Sequence, residues 1–189
     1  GMRFIAFDVE GEKLREEDIY SVGGGFIISS EEIENSKEFD NSQIPFPFKT
    51  CEELFNICNE TGMTFSALMM KNEQTWQSES EIRDKLLKIW AVMQECTQRG
   101  MTSSEKHLPG GLNVSRRAPK IFKQLTESPE NSPEEVMDWV SLFAMAVNEE
   151  NAAGGRIVTA PTNGGGGLIP AVMHYCDRFQ NDFNEDKII

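Results

Sequence analysis

From about residue 50 to residue 150 the apolar residues recur every three or four positions, which limits this part of the chain to helices that each bury one face. The punctuation agrees with the period. Thr50 with Glu53 forms a capping box ahead of Leu54, Ile57 and Cys58, and Gly62 closes that helix. Thr64 opens a second helix with Leu68 and Met69 on one face. Ser78 with Glu81 caps a long third helix carrying Ile82, Leu86, Ile89, Trp90 and Met93, and Gly100 is expected to end it. Ser132, Pro133 and Glu135 occupy the N-cap, N1 and N3 positions of another helix. Its stripe runs through Val136, Val140, Phe143 and Val147, which places Asn151 next on the same face. Leu168 to Phe179 reads as a further helix.

The first 44 residues follow a different rule. Residues 2–9 and 19–28 alternate as strands do, with an acidic Glu10-Gly11 turn and a charged connector between them. Gly23 to Gly25 would weaken the second strand, which points either to a bulge or to a backbone that approaches a site closely. A two-stranded hairpin is marginal in water, so it packs on the rest of the chain or belongs to a larger sheet. Residues 29–44 are polar and acidic, and Pro45 to Phe48 form a stiff extended connector. The expected fold is therefore mainly α: an N-terminal β-hairpin in residues 1–44, which on the second of these readings is the remnant of an α+β domain, followed by a helical domain fragment in residues 45–189.

A chain of 189 residues with a net charge of -13 lacks the basic face that nucleic acid or anionic lipid requires, so neither partner is expected. No apolar run approaches the roughly 18 residues of a membrane span, and the opening residues lack a signal-peptide core, so a cytoplasmic location is expected. Cys51, Cys58, Cys96 and Cys176 are scattered without the spacing of a zinc or iron-sulfur site, and read as structural thiols. No metal ligand is assigned in this chain.

The least ordinary passage is Asn148 to Val172, NEENAAGGRIVTAPTNGGGGLIPAV. Two glycines end one helix, a short extended segment follows, and Gly164 to Gly167 are expected to lead as a loop into a helix beginning near Leu168. Flexible linkers carry few apolar neighbours, yet these glycines lie between Ile157-Val158 and Leu168-Ile169. Glycine in such a place lets backbone N-H groups approach a ligand, and a helix N-terminus favours an anion there. Glu149 and Glu150 stand at the unfavourable negative end of their own helix dipole unless Arg156 or a ligand answers them. The amide of Asn151 either secures the following loop or faces a polar cavity.

Two further features have plain and functional readings. Arg116 and Arg117, in the turn-rich segment after Leu108, can bind a carboxylate or phosphate, or can hold their loop through ion pairs to neighbouring acids. His107 beside them is a lone loop histidine, and His174 and Cys176 are two positions apart on a helix, a poor metal pair.

Three sets of residues together resemble one family: Tyr20 to Ile27 (YSVGGGFI); Leu108 to Leu112 (LPGGL) with Arg116, Arg117 and Ala118; and Asn148 to Arg156 with Thr162-Asn163-Gly164 and Ile169 to Val172. It is the bacterial iron-sulfur-dependent L-serine dehydratase family, and the likeness runs in order from about Met2 to Phe179. The resemblance implies an internal fragment that spans the end of a β domain and the start of a helical α domain. It implies β-elimination of water from L-serine to give pyruvate and ammonia, with one iron of a [4Fe-4S] cluster as Lewis acid. The family's Ser-Ser-His-Thr motif and cluster cysteines have no counterpart here, so the cluster ligands would lie outside this chain, and the fragment alone is expected to be inactive. Thr162, Asn163, Gly164, Asn151 and Arg156 are the implied substrate-binding or supporting residues, and no catalytic base is assigned. Gly165 and Gly166 replace the small residues usual after Thr-Asn-Gly in the family. The implied partners are L-serine, an upstream β domain and a downstream cysteine-bearing α domain, and a homodimer is compatible with the resemblance.

Two other readings compete. A pyridoxal-phosphate-dependent serine/threonine dehydratase would use Gly164 to Gly167 as a phosphate loop, but it alternates strands and helices and needs a Schiff-base lysine that this sequence lacks in a matching setting. A non-catalytic subunit or interaction module is the second.

Overall fold

The computed structural model describes residues 1–23, 26–34, 44–127, 135–158 and 163–189. An antiparallel sheet of β1 (Met2–Phe7), β2 (Lys13–Gly23) and β3 (Phe26–Ser29) comes first, in the order β1-β2-β3. The expected turn is present: Asp8 accepts the N-H groups of Glu10 and Glu12, and Gly11 takes φ +88°. The charged connector, however, is part of β2. Its polar residues pair across the strands, with Arg3 gripping Asp18 through two hydrogen bonds of 2.7 and 2.8 Å in the Arg3–Asp18 register. The expected second strand breaks after Gly23 and returns as β3, so the hairpin becomes three strands; Gly24 and Gly25 lie outside the described residues. The sheet packs on the short helix α1 (Ser30–Glu34), while Phe4, Phe7, Leu14, Val22 and Ile27 remain exposed.

Helices follow, as the periodicity predicts. α2 (Cys51–Thr61) and α4 (Glu79–Thr102) both begin with complete capping boxes, at Thr50/Glu53 and Ser78/Glu81. α2 ends on Gly62 in the left-handed conformation, and α3 (Phe65–Glu73) starts at the N-cap Thr64. Gly100 does not end α4. The helix continues to Thr102, and Gly100 is buried where α4 crosses α6 (Glu135–Ala152). A Cβ there would stand 2.4 Å from the Ala146 carbonyl oxygen, so glycine is required for the crossing. The helix start at Ser132-Pro133 lies outside the described residues.

α6 is the central helix, packed against α4, α5 (Ala118–Glu127) and α7 (Asn163–Phe179). Its buried face carries Trp139, Leu142, Phe143, Ala146 and Val147, and continues into Glu149 and Glu150 rather than into Asn151, which is half-buried. Met101, Ala118 and Ala171 close this core from the neighbouring helices, with Ile121, Phe122 and Leu125 of α5 packed around it. Burying a side chain such as Leu142 completely contributes about 1.5–3 kcal/mol. Arg178 of α7 lies over the Trp139 ring at 3.6 Å and so covers the core edge. The chain closes with α8 (Glu185–Ile188), capped by Asn184 and resting on α4.

Candidate functional site

The acidic pair at the end of α6 organises the surrounding chain. Glu149 is 4% exposed, and its carboxylate accepts the backbone N-H of Arg117 at 2.8 Å and of Ala118 at 3.2 Å. These donors open α5, so one helix supplies the N-terminal cap of another, where the dipole favours negative charge. Glu150 is 6% exposed and takes Arg116 Nη1 at 2.9 Å and Arg99 Nε at 3.2 Å. Arg116, whose side chain is 3% exposed, also reaches Glu105, and its own Nε has no partner among the described residues. Both acids are therefore answered, but not by the Arg156 side chain. Arg156 contributes its carbonyl oxygen, which accepts from Arg99 Nη2 at 2.5 Å.

This network decides between the two readings for Arg116, which locks its loop through a buried ion pair with Glu150, while the exposed Arg117 side chain stands 3.8 Å from Glu149. The loop itself is tied by the Leu108 N-H to the Val114 carbonyl and by the Arg116 N-H to the Lys106 carbonyl, and His107 sits in a bridge with Ser115. Beside the network lies a polar cavity of about 500 Å³, lined in part by Arg99, Ser104, Glu105, Arg116, Glu150 and Gly154. Its four charged lining groups, two arginines and two glutamates, balance.

After α6 the chain turns back sharply. Gly155 N-H donates to the Glu150 carbonyl, Gly154 N-H to the Asn151 carbonyl, and Gly154 adopts φ +77°. Asn151 thus secures the turn through its main chain. Residues 156–158 then run against the start of α7: a Cβ on Gly166 would meet the Val158 carbonyl oxygen at 3.2 Å and the Ile157 side chain at 3.7 Å.

The glycine run is not a loop before a helix. It forms the first turns of α7, which begins at Asn163 instead of near Leu168. Gly167 lies where α7 meets α6, and a Cβ there would be 3.1 Å from the Ala144 carbonyl oxygen and from both polar atoms of the Asn148 side chain. Gly166 and Gly167 are buried packing glycines, whereas Gly164 is exposed with open space around it. The first amides of a helix that begins at Asn163 have no carbonyl one turn back to bond. Of the expected site residues, Asn151, Arg156 and Gly164 belong to the turn, the segment after it and the opening of α7. Thr162 lies outside the described residues, as does the Asn163 side chain.

Buried titratable groups elsewhere are structural. Cys96 is 1% exposed, and burial pushes its thiol up to about 11, so it packs as a neutral group. His174 sits between Trp90 and Phe143, with ring centroids 4.9 Å from each. Desolvation holds its pKa below the ordinary histidine value, against the smaller opposing effects of Asp177 and a hydrogen bond with the Met93 main chain. All four cysteines are free, and no group of three or more His, Cys, Asp or Glu suited to a metal occurs among the described residues.

The profile of the serine dehydratase alpha chain family matches residues 60–189, the part that holds this turn, the paired acids and the glycine-opened helix. The chain belongs to the serine dehydratase alpha chain family. Similarity extends across its whole length. The L-serine dehydratase of Streptomyces coelicolor is 47% identical over 191 residues, covering 100% of this chain and 41% of that protein. L-serine dehydratase TdcG of Escherichia coli is 45% identical over 190 residues, with the same two coverages. The L-serine dehydratase of Helicobacter pylori is 38% identical over 173 residues, 90% of this chain and 38% of that protein. This member of the family thus spans about two fifths of the curated relatives it matches. Among its described residues no helix is long and apolar enough to cross a membrane.

Sequence reasoning missed the importance of Arg99 and the shared burial of Glu149 and Glu150. A signal existed. Read in steps of three and four, Trp139, Leu142, Phe143 and Ala146 lead to Glu149 and Glu150 rather than to Asn151. Acidic residues on an apolar face demand buried partners.

Proposed function

We propose that this chain is part of a cytoplasmic L-serine dehydratase, which eliminates water from L-serine and releases pyruvate and ammonia. The carrying observation is its 38–47% identity with proteins named L-serine dehydratase, extending over 90–100% of its length. In this reading residues 1–44 close a β domain and residues 45–189 begin a helical catalytic domain, the remainder being supplied by sequence present in the relatives and not in this chain. Exposed apolar residues on the sheet support the division, since a neighbouring layer would cover them.

The residues of this chain would bind and orient. Arg156 is exposed, while its carbonyl is pinned by Arg99 and its neighbours Ile157 and Val158 rest on α7. That fixes the root of a guanidinium suited to a carboxylate. Gly164, with open space around it, offers a main-chain donor at a positive helix end, and Thr162 and Asn163 complete the anchor in this reading. Asn151 supports it by fixing the turn. The elimination needs a Lewis acid to help hydroxide leave, which a [4Fe-4S] cluster supplies in this family. The described residues do not fit such a group: Cys96 is buried as a neutral thiol, and the cysteines are not gathered into a ligand set. The ligands would come from outside this chain, and the chain alone would be colourless and inert toward L-serine.

A chimera tests this. The matching two fifths of the Escherichia coli L-serine dehydratase TdcG is replaced by this chain, and pyruvate formation from L-serine is followed. Activity is expected, with Arg156→Ala raising KM more than it lowers kcat. A folded chimera with its cluster loaded but without pyruvate formation would sink the proposal.

A further inference from the structure

A second cavity, of about 450 Å³, lies between the outer face of α4 and the segment after the turn. Lys85, Lys88, Ile89 and Val92 are one to two helical turns apart on α4 and so share a face. Arg156, Ile157 and Val158 form the opposite wall. This wall is held in place: Arg99 binds the Arg156 carbonyl, and Val158 abuts Gly166 of α7. The result is a trough with an apolar floor of Ile89, Val92, Ile157 and Val158, edged by the basic residues Lys88, Arg156 and Lys85, the last with its ammonium turned to Gln77 outside the lining.

The charge pattern sets this trough apart. In a chain that carries 31 acidic and 18 basic residues, Lys85, Lys88 and Arg156 line this cavity and no acidic side chain does, whereas the polar cavity beside Glu150 holds equal numbers of each. None of the three forms an ion pair among the described residues. Lys85 donates to the neutral amide of Gln77; its charge also favours the ionised form of Glu81, whose carboxylate is held chiefly by Ser78. Three like charges around a low-dielectric floor repel one another unless an anion joins them, and they concentrate positive potential there in an otherwise negative molecule. The volume suits a small molecule.

We propose that this trough is a receptor for a small carboxylate that bears an apolar chain and no ammonium group. The carboxylate meets the cationic rim and the chain lies on the aliphatic floor. An amino acid is disfavoured, because its ammonium would enter a cationic rim without an acidic partner. The site goes beyond the dehydratase reading and shares only Arg156 with it.

The probe is 2-methylpropanoate, titrated into this 189-residue chain carrying methyl-labelled Ile and Val, with its isosteric amide and L-serine as comparisons. Saturable shifts confined to Ile89, Val92, Ile157 and Val158 are expected, with a Kd of about 1 mM, in keeping with so small a ligand. Lys85 and Lys88 are exposed, so the double variant Lys85→Gln, Lys88→Gln should keep its circular dichroism spectrum and bind about tenfold more weakly. Equal shifts with the amide, equal binding by L-serine, or undiminished binding in the double variant would each overturn the proposal. So would a hexaglutamate peptide that shifts these methyls where 2-methylpropanoate does not, since it would assign the trough to a macromolecule. The readout is binding to this chain, so failure leaves the chimera result untouched, and an inactive chimera leaves the trough standing.

Discussion

Replacing Glu150 by glutamine keeps the shape of the side chain and removes the charge on which two arginines converge. Arg116 would retain only Glu105, which is 65% exposed, while its own side chain is 3% exposed and its Nε already has no partner among the described residues. Breaking a buried pair by neutralising one partner costs about 3–5 kcal/mol, chiefly because the other charge stays behind in a desolvated place. The Arg99 contact adds little, since that side chain is 42% exposed and water can replace the lost partner. For a chain of this size the loss corresponds to a fall in Tm of about 6–20 °C. Thermal unfolding followed by circular dichroism, together with urea titration, measures it. The double variant Arg116→Met, Glu150→Leu should recover most of the loss, because an apolar pair of similar volume is as stable as a buried ion pair or more so. A Glu150→Gln variant within about 1 kcal/mol of the parent would refute the reasoning, as would a double variant whose loss equals the sum of the two single losses.

Two further outcomes follow from the same structure. Gly100→Ala should destabilise by about 2 kcal/mol or more, because its Cβ would press on the Ala146 backbone, whereas Gly164→Ala meets nothing and should stabilise by up to about 1 kcal/mol through helix propensity; urea midpoints of the two variants should move in opposite directions. His174 is held neutral by burial, so its folded-state pKa is below the unfolded value near 6.5. Between those two values the unfolded chain binds the proton and the folded chain does not, so the contribution of His174 to stability should be level above about pH 6.5 and decline as the pH falls toward the folded pKa. His174→Phe should flatten that part of the profile, and equal slopes in the two proteins would contradict the assignment.

The elements readable from the sequence are those whose causes lie within four residues. Thr50 and Ser78 cap their helices through the glutamate three positions on, and Gly62 ends one by adopting a conformation that costs other residues strain. Those local rules misread Gly100 as a stop and Gly164 to Gly167 as a loop. Both are poor helix formers in isolation, yet Gly100, Gly166 and Gly167 stand where other backbone passes within a Cβ's reach. α5 is not among the helices expected above, although it has Ala118, Ile121, Phe122 and Leu125 at helical spacing and packs them on the core. The strands were legible as alternation. The charged half of β2 was not, because it is stabilised by cross-strand pairs such as Arg3 with Asp18.

The candidate site divides in the same way. The unusual wording of residues 148–172 marked it out, and the polar turn at Gly154 and Gly155 is a consequence of composition at neighbouring positions, whereas the helical course of Gly164 to Gly167 is not. The destination of each charge was decided only when the helices crossed. Arg99 and Arg116 are 51 and 34 residues from Glu150, and no local pattern says that they meet there. Helix spacing and caps are short-range energies that a sequence carries in itself. Buried ion pairs and backbone contacts depend on which faces come together, so the tertiary structure alone turned Glu149 into a cap for α5, left Arg156 free of Glu150, and set it opposite Lys85 and Lys88.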